Sequence, residues 1–155
     1  MIDISKGRYW DLPWSLVDGC TPCSPGCDHC WSAGIAHHYA RSKGLGVPLY
    51  TVDARTFSGH VRTRPERLSI PLKRKKPTVY SIWNDFWHES VPDDFQYRAF
   101  EMMADRHTFL ILTKRPHIAA AFFAEGKVEQ LPFGNIYFGL TVCNQQEADE
   151  KIPIF

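Results

Sequence analysis

The chain has 155 residues, 44% hydrophobic and 23% charged, with a formal net charge of +1. That length and apolar content predict a single domain around one ordinary core and exclude an extended disordered polypeptide. No apolar run approaches the roughly 20 residues of a spanning helix, and so small a charge gives no overall attraction to nucleic acid or anionic lipid. The chain opens without the basic and apolar pattern of a secretory leader, so a cytoplasmic, reducing setting with no membrane contact is expected and disulfides are disfavoured. Five Trp and ten Phe point to an aromatic core more than to ligand stacking.

In chain order, residues 14–17 form a short apolar strand candidate that runs into Asp18-Gly19 and a cysteine-rich loop. Residues 32–43 follow as a helix stopped by Gly44 and Gly46. The stretch 44–77 carries Gly44, Gly46, Pro48, Gly59, Pro65, Pro71 and Pro77 and no sustained period, which predicts a long irregular connection. Residues 78–83 (Thr-Val-Tyr-Ser-Ile-Trp) are rich in strand formers, and 93–105 make an amphipathic helix with Phe95, Ala99, Phe100, Met102 and Met103 inward. The unit then repeats, with a strand at 107–113, a helix at 116–124 with proline in its first position, a strand at 135–142, and a helix beginning at Gln145.

Strand and crossover helix repeated at this spacing imply an α/β fold with a parallel sheet and right-handed connections, either open or part of a (β/α) barrel. In such sheets the loops after the carboxyl ends of the strands converge on the ligand site. Those loops carry the cysteines, Asn84-Asp85, Thr113-Lys114-Arg115, and Thr141 with Asn144.

Four of the five cysteines, Cys20, Cys23, Cys27 and Cys30, fall in one short stretch. Zinc sites made of two Cys-x2-Cys pairs usually separate the pairs by roughly 12–20 residues, whereas only Ser24, Pro25 and Gly26 lie between Cys23 and Cys27. A single tight loop suits an iron–sulfur cluster better. A ferredoxin-type carrier would close all four corners with cysteine, Cys20 supplying the fourth. The Cys-x3-Cys-x2-Cys spacing of Cys23, Cys27 and Cys30 resembles that of the radical S-adenosylmethionine (SAM) superfamily. The resemblance implies a 4Fe-4S cluster with one open iron that chelates the amino and carboxylate groups of SAM. An external electron donor reduces the cluster, and SAM is cleaved to a deoxyadenosyl radical that abstracts hydrogen from substrate.

Further residues carry a second resemblance. Gly19-Cys20-Thr21, the run from Ser24 to Trp31, Pro65 to Leu68, Ser81 to Glu89, His107 to Pro116 and Gly139 to Val142 closely resemble a bacteriophage and prophage family with a three-cysteine motif. That family is similar to a branch of the radical SAM superfamily. The resemblance implies a partial barrel, a 4Fe-4S cluster and SAM, and supplies no substrate. The family pattern places cysteines at the positions of Cys20, Cys27 and Cys30, with an apolar residue usual at position 23, so the first cluster ligand is either Cys20 or Cys23. Cys143 stands where an acidic residue is usual, and a small buried side chain is the expectation for it.

Other candidates complete the site. His29 precedes the last loop cysteine, where the superfamily commonly places an aromatic near the adenine; a solvated loop histidine is the competing reading. Asn84 and Asp85 follow the second strand, where the methionyl amino end of SAM is received, or they cap a helix entry. Lys114 and Arg115 beside Thr113 are suited to the SAM carboxylate or a substrate phosphate. Trp83, Phe86, Trp87 and His88 either line the pocket or pack onto their own barrel. Lys73, Arg74, Lys75 and Lys76 could neutralise a nucleic-acid backbone, although such a run is more often a solvated face. The alternative function is a non-catalytic iron–sulfur or zinc module of phage origin that binds nucleic acid. A full barrel takes roughly 250 residues, so four strands followed by an apolar terminus are expected to be an incomplete barrel truncated at its C-terminus, with a partner protein as a further possible cover.

Overall fold

The computed structural model describes residues 7–42, 50–103, 106–126 and 133–155. A mixed α/β fold is built on a four-stranded parallel sheet in the order β1-β4-β5-β6, comprising β1 (Leu12–Trp14), β4 (Val79–Ile82), β5 (Thr108–Thr113) and β6 (Ile136–Leu140). The register sets Trp14 beside Ile82, Ile82 beside Ile111, and Phe109 beside Ile136. Helix α2 (Asp93–Met102) connects β4 to β5, and α3 (Pro116–Ala124) connects β5 to β6. Helix α1 (Trp31–Ser42) lies between the first strand and the long connection, and α4 (Gln145–Lys151) follows β6.

Side chains alternate across a strand, so registered partners share a face. One face therefore collects Trp14, Tyr80, Ile82, Phe109, Ile111, Ile136 and Phe138, all buried except Phe138, which is partly so. Helices α2 and α3 cover this face, since Phe138 packs against Phe100 and Phe123. Helix α2 presents Phe95, Gln96, Ala99 and Phe100 inward, as its 3.6-residue period requires. Most of the aromatic excess is spent here: Tyr80 stacks on Phe109 with ring centroids 5.6 Å apart, and Phe100 on Phe122 at 5.7 Å. The opposite face carries Ser81, Leu110, Leu112, Tyr137 and Gly139 and is less covered, with Tyr137 exposed.

The strand expected at 14–17 is two strands. Leu12–Trp14 joins the main sheet, whereas β2 (Val17–Asp18) pairs antiparallel with β3 (Arg62–Thr63). The chain leaves the first sheet because the carboxylate of Asp18 takes the Arg64 guanidinium at 2.7 Å, and Arg67 donates to the carbonyl of Ser15. The indole of Trp14 in turn donates to the Arg67 carbonyl. The described part of the 44–77 connection is thus docked onto the first strands and holds β3 and two 3-10 turns, at Pro65–Arg67 and Pro71–Lys73. Gly44, Gly46 and Pro48 lie outside the described residues, as do Lys43 and the last two positions of the helix expected at 93–105. The strands expected at 78–83, 107–113 and 135–142 are each shorter by one to three residues, because their end residues lie beyond the paired ladder.

Phe109 is fully buried at the centre of this sheet. Phe109→Ala is expected to cost about 3–5 kcal/mol, measured by urea unfolding; a loss under about 1 kcal/mol would contradict the packing described.

Candidate functional site

The carboxyl ends of β1, β4, β5 and β6 open onto a cavity of about 360 Å³, within the size range of small-ligand sites. All five cysteines line it, with Asn84, Asp85, Thr113, Lys114, Arg115 and Thr141. The strand-end loops named from the sequence therefore converge. His29 and Asn144 do not line the cavity: His29 is exposed on the loop, and the Asn144 side chain caps α4 by accepting from the Glu147 N–H at 2.8 Å.

Arg115 organises the floor. Almost fully buried, it donates through Nη1 to Asp85 at 2.8 Å, through Nε to Glu89 at 2.9 Å, and through Nη2 to the carbonyl of Thr21 at 2.8 Å. Burial opposes its charge, but the hydrogen bond it donates to Glu89 and the charge and hydrogen bond of Asp85 outweigh that and raise its pKa. Thr113 links the parts, its hydroxyl donating to Asp85 at 2.8 Å while accepting from the Arg115 N–H. Asn84 adopts a left-handed backbone, φ 63°, which Asn tolerates better than most residues. Its side chain donates to the Val17 carbonyl and accepts from the Ser32 hydroxyl, both at 2.7 Å. Asn84, Asp85, Thr113 and Arg115 are thus bound to the protein itself. Among the described residues Lys114 makes no ion pair, and it faces the cavity beside them.

Residues 18–31 are held by close approaches as well as by Arg115. Gly19 has φ +82° and sits so near the His60 carbonyl that a Cβ would lie 1.8 Å from its oxygen, so only glycine fits. Gly26 admits Cys143, whose sulfur would stand 2.1 Å from an added Cβ. Ser24 caps a short 3-10 turn at Pro25–Cys27 by accepting from the Gly26 N–H. Its hydroxyl also lies 3.8 Å from the Cys143 sulfur and 4.0 Å from that of Cys27. Cys143 is exposed at the cavity, contrary to the buried side chain expected, since it lies on the loop between β6 and α4, where its N–H donates to the Glu147 carboxylate at 2.9 Å.

The model of a family described as "Protein of unknown function (DUF5131)" matches residues 5–155. The chain belongs to the DUF5131 family. No curated protein and no solved structure matches it.

The thiols of this DUF5131 chain differ in character. Burial pushes Cys20 up to about 11, with the Asp85 carboxylate adding to the shift and Arg115 opposing it. Cys23 is also raised, chiefly by partial burial. Cys27 is lowered: burial works against ionisation, but the N–H groups of Cys23 and Ser24, the Lys114 ammonium and the Ser24 hydroxyl together outweigh it. Among the described residues no three His, Cys, Asp or Glu side chains are gathered closely enough to hold a metal ion. Of the aromatic loop after β4, Trp83 lines the cavity, whereas Phe86 and Trp87 are core and His88 is buried beneath the loop. The basic run 73–76 is exposed and precedes the amino end of β4, at the opposite end of the sheet from the cavity. No helix among the described residues is long and apolar enough to cross a membrane.

Thr21 and Glu89 enter the sequence reading only within motif segments and with no site role, and Arg115 enters it with Lys114 as a cation suited to the SAM carboxylate or a substrate phosphate. Their signal is weak: an acidic residue four positions beyond Asp85 and a threonine beside Cys20 acquire meaning only when Arg115 reaches both.

Removing Arg115 strands a buried carboxylate. Arg115→Met is expected to cost about 3–5 kcal/mol, and adding Asp85→Asn should restore part of it. Urea unfolding of the two single variants and the double checks this; additivity within about 0.5 kcal/mol would mean the pair is not coupled.

His88 accepts from the Ser90 N–H through Nδ1 at 3.0 Å and contacts the Thr21 hydroxyl through Nε2 at 2.9 Å, which fixes the neutral tautomer with its proton on Nε2. Burial first, then Arg115, lowers its pKa below the ordinary 6.5. The unfolded chain therefore binds this proton before the folded one, and stability should fall as pH drops through 6.5 toward the lower folded value. Midpoints of urea unfolding across that interval should fall less for His88→Gln than for the parent, and parallel curves would refute this.

Proposed function

We propose that the chain is a radical SAM-type iron–sulfur enzyme of phage or prophage origin, built on part of a (β/α) barrel. The observation that carries the reading is the Cys23, Cys27 and Cys30 spacing on a loop at the carboxyl ends of parallel strands, facing the same cavity as Lys114. Soft thiolates suit an iron–sulfur cluster, and the thiols line a cavity rather than converge on a point, as ligands of a many-atom cluster do. The sheet order supports a barrel segment, because successive β-α units placed side by side are how such barrels grow.

Bound there, a 4Fe-4S cluster and SAM, with an external electron donor, would supply one-electron cleavage to a deoxyadenosyl radical. The chain's own contributions are positional. Cys27, its thiol lowered, and Cys30 are ligands, joined by Cys23 or Cys20. Lys114 is the cation left for a carboxylate, since Arg115 is engaged by Asp85 and Glu89. Arg115 and His88 hold the loop through Thr21. Five thiols at one cavity also favour a second reading, a closed non-catalytic cluster or zinc module. Nucleic acid bound by that module through residues 73–76 would lie at the far end of the sheet.

Anaerobic reconstitution with iron and sulfide separates the two. Cys27→Ala and Cys30→Ala should each abolish cluster uptake, and only one of Cys20→Ala and Cys23→Ala should do so, while SAM perturbs the cluster spectrum of the parent. Loss in all four variants without a SAM response, or isolation with zinc alone, would favour the closed module.

A further inference from the structure

One thiol of the cavity is placed by features that packing does not explain. Cys143 comes from the loop after β6, whereas the other four cysteines share one stretch of chain. Its sulfur rests on Gly26, in the middle of that stretch, so closely that an added Cβ would lie 2.1 Å away. Gly26 has no left-handed φ, so its backbone does not call for glycine; the space taken by the sulfur does. Burial does not account for the approach either, because Cys143 stays exposed and gains little from it. The loop that carries the thiol is anchored on both sides. The Thr141 N–H donates to the Thr113 carbonyl at 2.8 Å. The Cys143 N–H donates to Glu147, whose carboxylate also takes the Lys151 ammonium at 2.6 Å.

These anchors hold the sulfur near Cys27. The Ser24 hydroxyl stands 3.8 Å from the Cys143 sulfur and 4.0 Å from that of Cys27, so the two sulfurs are no farther apart than those distances together. Cys20 is engaged elsewhere, its thiol donating to the Thr21 carbonyl at 3.6 Å and lying 3.9 Å from the Arg115 Nη1. We propose that Cys143 ligates the fourth iron of the cluster in the absence of SAM. The proposal rests on reading the cysteine loop as an iron–sulfur site, and it adds a ligand from a distant part of the chain. As Cys143 binds, its thiol proton passes to solvent and a sulfur–iron bond forms. When the amino and carboxylate groups of SAM take that iron, the bond breaks and the thiolate is reprotonated. No electron moves in the exchange.

The full chain and its Cys143→Ala variant are reconstituted anaerobically with iron and sulfide, then oxidised mildly with ferricyanide. Both should take up cluster alike, since the loop thiols remain. An iron without a protein ligand is lost first and leaves a 3Fe-4S centre, read by its own EPR signal. That centre should form about tenfold or more faster in Cys143→Ala, as loss of a group that holds a metal implies. SAM, titrated against the cluster spectrum before oxidation, should bind the variant about tenfold tighter, because a site kept closed loses apparent affinity in proportion to its open fraction. Circular dichroism confirms that the variant folds, as the exposure of Cys143 leads one to expect. Equal rates of 3Fe-4S formation in the two proteins would overturn the proposal and leave the cluster reading intact. Absence of cluster from the parent would overturn both. Faster loss of iron with no SAM response in either protein would support Cys143 as a ligand and sink the enzymatic reading.

Discussion

A buried guanidinium governs the cavity end of this protein. An unpaired charge at the depth of Arg115 would be expensive to keep, so its partners are obligatory rather than decorative. Asp85 comes from the end of β4, Arg115 from the end of β5, Glu89 from the loop after β4, and Thr21 from the cysteine stretch. One planar group with fixed donor directions thus ties two adjacent strand ends to the loop that carries the candidate ligands. The fork geometry cannot be met by a point charge, which is why Lys114, next in sequence, is left facing the cavity. Of two neighbouring cations, one is fastened to the protein and the other makes no ion pair among the described residues.

The same clamp grades the thiols. Cys20 lies 3.9 Å from the Arg115 Nη1 yet is partly buried and feels the Asp85 carboxylate, and the net result is a thiol that resists ionisation. Cys27, within reach of backbone N–H groups and the Lys114 ammonium, is pushed the other way. Position along a short loop is therefore converted into chemical difference by what each sulfur faces. Gly26 extends the effect, since only the lack of a side chain there lets the fifth thiol, Cys143, approach from the loop after β6.

Much of the fold was legible because the chain's punctuation is strong. Proline opens α3, alternation marks β5 with Phe109, Ile111 and Thr113 buried, and repeated strand–helix units predict parallel neighbours. The misreading at 14–17 has a physical cause. Trp14, Leu16 and Val17 are all fully buried, with only Ser15 between them, so the segment reads as one apolar strand, but the change of sheet is imposed by Arg64 and Arg67, some fifty residues away. Position relative to strand ends identified the cavity residues, since that needs only topology. It could not say that Arg115 and Asp85 neutralise each other, nor that Asn84 is spent on Val17 and Ser32, because those pairings cross between loops. Phe86 and Trp87, placed by sequence either in the pocket or in the core, go to the core with Phe100 and Phe122.

The two ends of the sheet are chemically distinct, and the distinction bears on function. At the amino end, exposed Lys73, Arg74, Lys75 and Lys76 adjoin a buried junction in which His107 contacts the Pro71 carbonyl and Arg74 donates to Thr78. These contacts fasten the connection to the strands it precedes, a structural task that accounts for part of the basic run. At the carboxyl end Arg115 is matched by Asp85 and Glu89, while the soft thiols, exposed aromatic rings and Lys114 line one cavity. A polyanion drawn to the first end would lie a full strand length from the thiols, so chemistry at the cavity does not require it there. A ligand at the second end would meet exposed aromatic rings and, in Lys114, an ammonium without an ion-pair partner among the described residues, in the same cavity as the five thiols.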